Sequence, residues 1–457
     1  EVEAMRCYQR ALALSPGNAD TLYNIALADL MFGHLARGFG GYEVRYHPRS
    51  QNKSAPKPPD LPCPMWQGEP LAGKHIALVR EQGLGDQLQF CRYAQALRDA
   101  GAAEVTLIVD GPLVALLQGL AGPTRVIAPG QMHAHRYDFW AFLLSLPHRL
   151  GTDAGRIPAD VPYLHAQADK AAVWRTRLAR PTGIRATVAL VWAGNPDHAN
   201  NRTRSARWSD FAPLIDLPGL RFVSLQKGEP VEELRTSPWA GRVLDLDAEL
   251  QDFTDTAAAL QAVDLLVSVD TSVVHLAGAL NRPCWALLAH GPDWRWLHEG
   301  EASAWYPSLH LLRQRAPQDW AGVIAALRKR LAAWSPADTA EIVDNAAQPT
   351  PTQALAALNT GQDALAESLC RAVLVCDDAS LDAWHLLALA LKRQQRFAES
   401  LAAFDQALAL VCEPAFRAVV LANRGNTHQA AGALDAAVAS YRESIALAPD
   451  QPNAWSA

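Results

Sequence analysis

The sequence predicts two α/β halves, each a parallel sheet covered on both faces, opposed across a cleft and set between stretches of helical hairpins. Three observations predict it. Short apolar runs of strand length alternate with helical stretches through the middle of the chain. These runs form two series, parted by a segment at 158–185 that has none. Towards the C-terminus a helical pattern repeats: Ala364-Leu365-Ala366-Glu367-Ser368-Leu369 resembles Ala398-Glu399-Ser400-Leu401-Ala402-Ala403 at an offset of 34 residues.

The N-terminal stretch reads as helices. Met5, Tyr8, Ala11 and Leu12 recur at helical spacing until Ser15-Pro16-Gly17-Asn18 breaks the run. A second helix runs from Ala19 to Phe32 and stops at Gly33; a third spans about Leu35 to Tyr46. Helix, tight turn and helix at an interval of 34 residues is the tetratricopeptide repeat (TPR) pattern. A further copy at Ala436-Ala437-Val438-Ala439-Ser440-Tyr441 is displaced by extra residues around Glu413-Pro414-Ala415. Each hairpin leaves an apolar face that only a neighbour can cover, so the helices must stack. Ser444-Ile445-Ala446-Leu447-Ala448-Pro449 matches the phase of Gln9–Pro16, so the array is expected to continue past both ends.

In the middle, strands are predicted at His75–Val79, Val105–Val109 and Arg125–Ile127, with helices at Gln87–Ala100 and Leu113–Leu120. The second series holds strands Thr187–Trp192, Arg221–Leu225, Arg242–Leu244, Leu265–Val269, Cys284–Leu288 and Leu309–Leu312. Helices Ser209–Leu217, Thr254–Ala262, Ser272–Leu280 and Asp319–Ala332 lie between or after them. The expected layout is TPR helices at 1–47, a linker at 48–70, Rossmann-like halves at 71–165 and 166–335, a linker at 336–350 and TPR repeats at 351–457. Ligands bind such sheets at the carboxyl ends of the strands.

Composition narrows the function classes. A net charge of −6 offers no basic stripe for nucleic acid. No apolar run reaches the ~18–20 residues of a membrane span. The seven cysteines, Cys7, Cys63, Cys91, Cys284, Cys370, Cys376 and Cys412, show no zinc or redox spacing. Reduced thiols in a cytoplasmic protein without a metal site are expected.

Three constellations carry candidate chemistry. Glu81-Gln82-Gly83-Leu84-Gly85-Asp86-Gln87 follows a strand and opens a helix. Gly83 and Gly85 would let the backbone turn and approach a ligand, while Asp86 is either a base for an attacking hydroxyl or a partner of the helix dipole. A dinucleotide fingerprint would need glycine at Leu88, so an oxidoreductase is disfavoured. In the second constellation, strand Leu265–Val269 is followed by Asp270-Thr271-Ser272 and a small-residue helix. Thr271 and Ser272 can cap that helix or bind a diphosphate; His275 either faces the ligand or is a satisfied core histidine. The third is Trp192-Ala193-Gly194-Asn195-Pro196 and a loop with Arg202, Arg204 and Arg207. One arginine aimed into the cleft would neutralise a diphosphate; a solvated basic loop is the alternative. Gln226-Lys227 ends another strand and can reach the same ligand, as can Gly291-Pro292-Asp293-Trp294.

Gly83-Leu84-Gly85-Asp86, together with Asp270-Thr271-Ser272 and His275-Leu276-Ala277-Gly278-Ala279-Leu280, resembles the bacterial heptosyltransferase-type family, glycosyltransferase family 9, over roughly 65–332. More closely, the chain resembles bacterial TPR proteins that carry such a domain. The resemblance implies a GT-B fold, a nucleotide-diphosphate sugar held mainly by the second half, and no metal requirement. It implies that Asp86 is the catalytic base and that Asp270, Thr271 and Ser272 line the donor site. Members place a lysine in the loop after the first strand of the second half, where Arg204 stands here, and many have glycine in place of Ser272. TPR helices joined to a GT-B domain also resemble the O-linked N-acetylglucosamine transferases, which glycosylate polypeptides.

The expectation is a glycosyltransferase with no cofactor beyond its nucleotide-sugar donor, acting on a protein or glycan acceptor, with the TPR surface recruiting a peptide or protein. Asp86 and Arg204 are the candidate catalytic residues. Gly83, Gly85, Asn195, Gln226, Lys227, Asp270, Thr271, Ser272 and His275 are candidates for the donor site. Asn24 and Asn423 lie on inner-type repeat helices, where an amide either holds a peptide or is merely solvated. The alternative is a catalytically silent TPR scaffold whose GT-B domain binds a nucleotide.

Overall fold

The computed structural model describes residues 2–48, 50, 55–153, 157–158, 161–198, 200–336, 351–359, 363–376, 378–411 and 413–447. Most of the linker expected at 336–350, part of that at 48–70, and the repeat phase beyond Leu447 lie outside them. The chain divides into two compact units, Glu1–Val343 and Asp344–Ala457.

Two parallel sheets organise the first unit. Strands β1 (His75–Val79), β2 (Glu104–Ile108), β3 (Arg125–Ile127) and β4 (Phe139–Phe142) form one, in the order β3-β2-β1-β4. Strands β5 (Ala186–Val191), β6 (Leu220–Ser224), β7 (Val243–Asp245), β8 (Leu265–Val269), β9 (Cys284–Leu288) and β10 (Leu309–Arg313) form the other, ordered β10-β9-β8-β5-β6-β7. Every residue of β5, β8 and β9 is buried, which is why their apolar runs are continuous rather than alternating. Strand order reverses beside β1 in the first sheet and at β5/β8 in the second. Crevices open at such reversals, outside the strand carboxyl ends.

Four details differ from the sequence reading. The four-residue, aromatic β4 has too little pattern to announce itself; it pairs with β1 from Ile76↔Phe139 to Val79↔Phe142. The helix expected at Gln87–Ala100 is two helices, Leu84–Phe90 and Tyr93–Asp99. Arg92 lies at the break, its guanidinium stacked 4.4 Å from the Tyr163 ring centroid and 4.7 Å from that of Tyr306. The stretch 209–217 makes only the turn Trp208–Phe211 and a 3₁₀ turn Ala212–Leu214, because Pro213 has no N–H to continue a helix. The segment between the halves contains the helix Ala168–Arg177.

A shared core joins the halves. One apolar core runs through Leu30, Phe39 and Tyr42 of the N-terminal helices, Ile76 and Leu78 of β1, and Val274, Leu276, Trp294 and Trp305 of the second half. The N-terminal helices Val2–Leu14, Ala19–Met31 and Leu35–Tyr42 thus belong to this first unit. Asn18 caps the second of them, accepting the Thr21 N–H at 2.8 Å.

Among the described residues the second unit holds three helical hairpins: Pro351–Asn359 with Asp363–Cys376, Leu381–Arg393 with Phe397–Leu410, and Pro414–Ala430 with Leu434–Leu447. The helix beginning at Pro414 has 17 residues against 13 for its predecessor at Leu381, which accounts for the shifted third copy. Helices cross on small residues; a β-carbon on Gly425 would lie 2.5 Å from the Tyr441 ring. Asn423 bonds His385 at 3.1 Å, and Asn24 in the first unit is exposed. Cys7, Cys63, Cys91, Cys284 and Cys370 are free thiols, and the side chains of Cys376 and Cys412 lie outside the described residues. No described helix is long and apolar enough to cross a membrane.

Gly278 tests the packing of helix on sheet. A β-carbon there would lie 2.3 Å from Tyr306 Cγ, and that ring is wholly buried. Gly278→Ala is expected to lower the stability of the first unit by about 1–3 kcal/mol, seen as an earlier urea midpoint with an unchanged slope.

Candidate active site

The site is built where the carboxyl ends of the two sheets meet. β1 delivers the turn Arg80–Gln82, and Gly83 then acts as N-cap of the helix Leu84–Phe90, which carries Asp86 in its first turn. Across from it, β8 ends at Val269 and Thr271 is the N-cap of Ser272–Ala279. The two helices touch. A β-carbon on Gly85 would lie 2.7 Å from His275 Cδ2 and 3.4 Å from Ser272 Cα. Neither Gly83 nor Gly85 has the positive φ that a sharp turn would require. Gly85 serves close approach between the halves.

Asp86 is 17% exposed and pairs with Arg295, from the loop after β9. Arg295 also donates to Asp293 Oδ1 at 2.7 Å and Gln89 Oε1 at 2.9 Å, and its guanidinium lies 4.2 Å from the Trp294 ring centroid. Burial raises the Asp86 carboxyl above the usual carboxylate range; the attraction of Arg295 opposes this without cancelling it. Asp270 is pushed up to about 6, first by burial and then by repulsion from Asp293, with Arg204 pulling the other way.

Arg204 stands beside them. Its guanidinium packs on Gly194 at the exit of β5, where an added β-carbon would meet Nη2 at 2.9 Å. Its Nε is buried, and among the described residues its guanidinium has neither a hydrogen bond nor an ion pair. The loop is pinned around it: Gly194 N–H donates to Ser205 Oγ at 3.0 Å, and Ser205 Oγ donates to Asn201 Oδ1 at 2.7 Å. His198 lies within electrostatic reach of Arg204, Asp86 and Asp293. Burial, followed by Arg204, lowers its pKa.

The remaining sequence candidates divide. Thr271 is buried, its hydroxyl 3.1 Å from Ser268 Oγ, and makes no side-chain cap, so the first amides of its helix are left without one. His275 is a core histidine: its Nδ1 meets Tyr306 Oη at 3.1 Å and its ring stacks on Trp296 at 5.2 Å. Burial drives its pKa far down, so it is neutral. Gln226 spends its amide inside the protein, with Oε1 accepting from Trp192 N at 3.0 Å and Ala193 N at 2.9 Å, and Nε2 donating to Ala193 O at 3.1 Å. It shapes the β5 exit loop. Lys227 is held by Asp247 at 3.0 Å and by the Leu250 carbonyl. Asn195 is exposed in an Asx turn, accepting from Asp197 N at 3.0 Å. Arg295 and His198 went unread in the sequence. The acidic–aromatic–basic run Asp293-Trp294-Arg295-Trp296 was the available signal for the first.

The raised pKa of Asp270 makes a stability prediction. A carboxyl whose folded pKa, about 6, exceeds its unfolded value costs stability above that pH; the cost disappears as pH falls below the unfolded value. Asp270→Asn is therefore expected to raise stability at pH 8 by on the order of 1–3 kcal/mol and leave it unchanged near pH 3, below the unfolded value of about 3.9, in matched denaturation curves.

Residues 380–450 match the family model described as Tetratricopeptide repeat. Protein FlbA of Caulobacter vibrioides is 28% identical over 336 residues, covering 68% of this chain and 55% of FlbA, so the chain spans about half the length of that relative. Among solved structures, the glycosyl transferase family 9 protein of Veillonella parvula matches with a TM-score of 0.41 and 11% identity, over 62% of this chain and 99% of its own. The E. coli ADP-heptose lps heptosyltransferase II matches with a TM-score of 0.39 and 14% identity, over 57% and 98%. The TPR protein YrrB matches with a TM-score of 0.22 and 16% identity, over 30% and 70%. The chain thus carries tetratricopeptide repeats at 380–450 and, ahead of them, an α/β unit built on two parallel sheets.

Proposed function

We propose that this protein transfers a sugar from a nucleotide-diphosphate donor to an acceptor hydroxyl. The observation that carries the reading is the meeting of Asp86 with the helix opening at Thr271–Ser272, where Gly85 lies against Ser272 and Arg204 has a buried, unpaired Nε. In the proposed step the acceptor oxygen bonds to the anomeric carbon, the bond from that carbon to the diphosphate oxygen breaks, and the hydroxyl proton passes to Asp86. A carboxylate whose basicity burial has raised is better matched to that proton than an exposed one. The departing diphosphate carries the developing negative charge. Arg204 and the free amides at the start of Ser272–Ala279 supply fixed positive potential for it. This scheme needs no divalent metal, so turnover is expected to persist in EDTA.

The protein is proposed to work in the cytoplasm, where nucleotide sugars are made and thiols stay reduced. Its TPR repeats are proposed to recruit a protein or glycan acceptor. One observation favours a second reading, a silent nucleotide-binding scaffold: Asp86 already holds Arg295, so its base function requires that pair to loosen or to leave the second carboxylate oxygen free. Thermal stabilisation by UDP, GDP and ADP, with sugar turnover measured in parallel, separates the two; binding without turnover across a broad donor and acceptor screen selects the scaffold.

If Asp86 is the base, Asp86→Asn lowers kcat by about 10²–10⁴-fold and leaves nucleotide affinity within a few-fold. Full turnover by that variant removes Asp86 from the chemistry. Arg204→Gln is expected to weaken nucleoside diphosphate binding by about ten-fold or more in calorimetry, since its loss removes a charge-assisted contact.

A further inference from the structure

The N-terminal helices reach the candidate site from behind, at two loops. The first is the turn leaving β1. The Glu81 side chain is buried and accepts Arg45 Nε at 2.7 Å, Arg45 Nη2 at 3.0 Å and the Leu144 amide at 2.8 Å. Arg45, 1% exposed, also donates to Ser145 Oγ at 2.9 Å and to Glu43 at 2.7 Å. The next residue, Gln82, donates its amide to Tyr42 Oη at 2.8 Å. Gly83, which follows, opens the helix that carries Asp86.

The second loop holds Arg295. Phe39 meets Trp294 edge-on at 5.6 Å and Tyr42 meets it at 6.3 Å. Leu297 has φ 58° and ψ 173°, a region almost reserved for glycine, and such backbone persists only where its surroundings fix it. The surroundings here are specific. His298 N–H donates to Met31 O at 3.0 Å at the end of an N-terminal helix, and Arg313 Nη1 holds the Leu297 carbonyl at 3.0 Å. Apolar docking alone would have sufficed to attach a helical hairpin. Polar anchors from one segment instead end on both sides of the Asp86–Arg295 pair.

We propose that the N-terminal helical segment is a positioning element of the site, with Arg45–Glu81, Tyr42–Gln82 and Met31–His298 fixing the two loops that bring Asp86 and Arg295 together. Arg45 and Tyr42 are positioning residues, acting through Glu81, Gln82 and Trp294 rather than on any substrate. The kinetic consequence rests on the transfer reading; the ordering of the two loops does not.

The test uses the full chain with Arg45→Lys, which keeps the charge but not the two-pronged contact with Glu81, and the milder Tyr42→Phe, which removes only the oxygen that Gln82 bonds. Hydrogen exchange by mass spectrometry is expected to quicken about ten-fold or more in peptides covering 82–90 and 293–298, and to be unchanged in β5 and β8. Turnover is expected to fall about three- to ten-fold in kcat for Tyr42→Phe, with the donor KM within two-fold, since the loss lies in alignment rather than in donor contact. Unchanged exchange in both loops of a folded Tyr42→Phe protein overturns the proposal, as does a uniform rise across both sheets, which marks a purely structural role. Local quickening in a protein with no turnover on any donor leaves positioning standing and removes the transfer reading. Unchanged exchange where Asp86→Asn abolishes turnover does the reverse.

Discussion

Where Gly85 lies against the His275 ring there is no room for a side chain, and the separation of the two sheets is set at that contact. Its consequences spread outward. Two helix N-termini are brought side by side, and Asp86 comes within reach of Arg295 at the carboxyl ends of the two sheets. The continuous core beneath, from Phe39 through Leu88 and Val274 to Trp305, keeps that separation from drifting. Arg92 closes the same seam: its Nη1 donates to the carbonyls of Pro158 at 2.8 Å and Trp305 at 3.2 Å, with tyrosine rings on its faces. A buried guanidinium stacked on rings and bonded to carbonyls can remain charged without a carboxylate.

Charge at the candidate site is balanced unevenly, and the imbalance has a direction. Asp86, Asp293 and Asp270 face Arg295, Arg204 and His198. Arg295 is spent on two of the carboxylates and on Gln89, whereas the carboxyl of Asp270 is held so high that it takes up a proton near pH 6. An anion entering beside Arg204 would raise that pKa further, so its binding is linked to proton uptake at Asp270.

Much of this was legible in the sequence, for reasons that can be named. Fully buried parallel strands such as Ala186–Val191 have no polar face and so stand out as unbroken apolar runs. Gly83–Asp86 and Asp270–Ser272 each follow an apolar run of strand length, which is enough to put both at strand carboxyl ends. What stayed hidden depends on partners distant along the chain. Gln226 looks like a ligand contact until Trp192 and Ala193 are seen to consume its amide. Arg295 looks like a loop arginine until it is found beside Asp86, 209 residues earlier. The short β4 carried no period, and Arg45 gave no sign that its partner is Glu81.

The same distinction explains why the two helical segments are unlike, although their sequences share a phase. In the C-terminal unit, helices cover one another through small residues: Ala383, Ala388 and Ala390 are buried, and Ser400 Oγ donates to the Ala388 carbonyl at 2.7 Å. That packing is self-contained and serves any member of an array. In the N-terminal segment the residues that would meet a following repeat meet the α/β halves instead, with Leu30, Phe39 and Tyr42 in the shared core and Arg45 sealed against Glu81. An ordinary repeat surface has no use for an arginine that is 1% exposed and bonded to a carboxylate on another fold. Desolvating such a pair brings stability only if its geometry is exact on both sides, so its value lies in fixing one arrangement of the β1 turn over all others. The N-terminal helices therefore belong, in energetic terms, to the α/β halves rather than to the array.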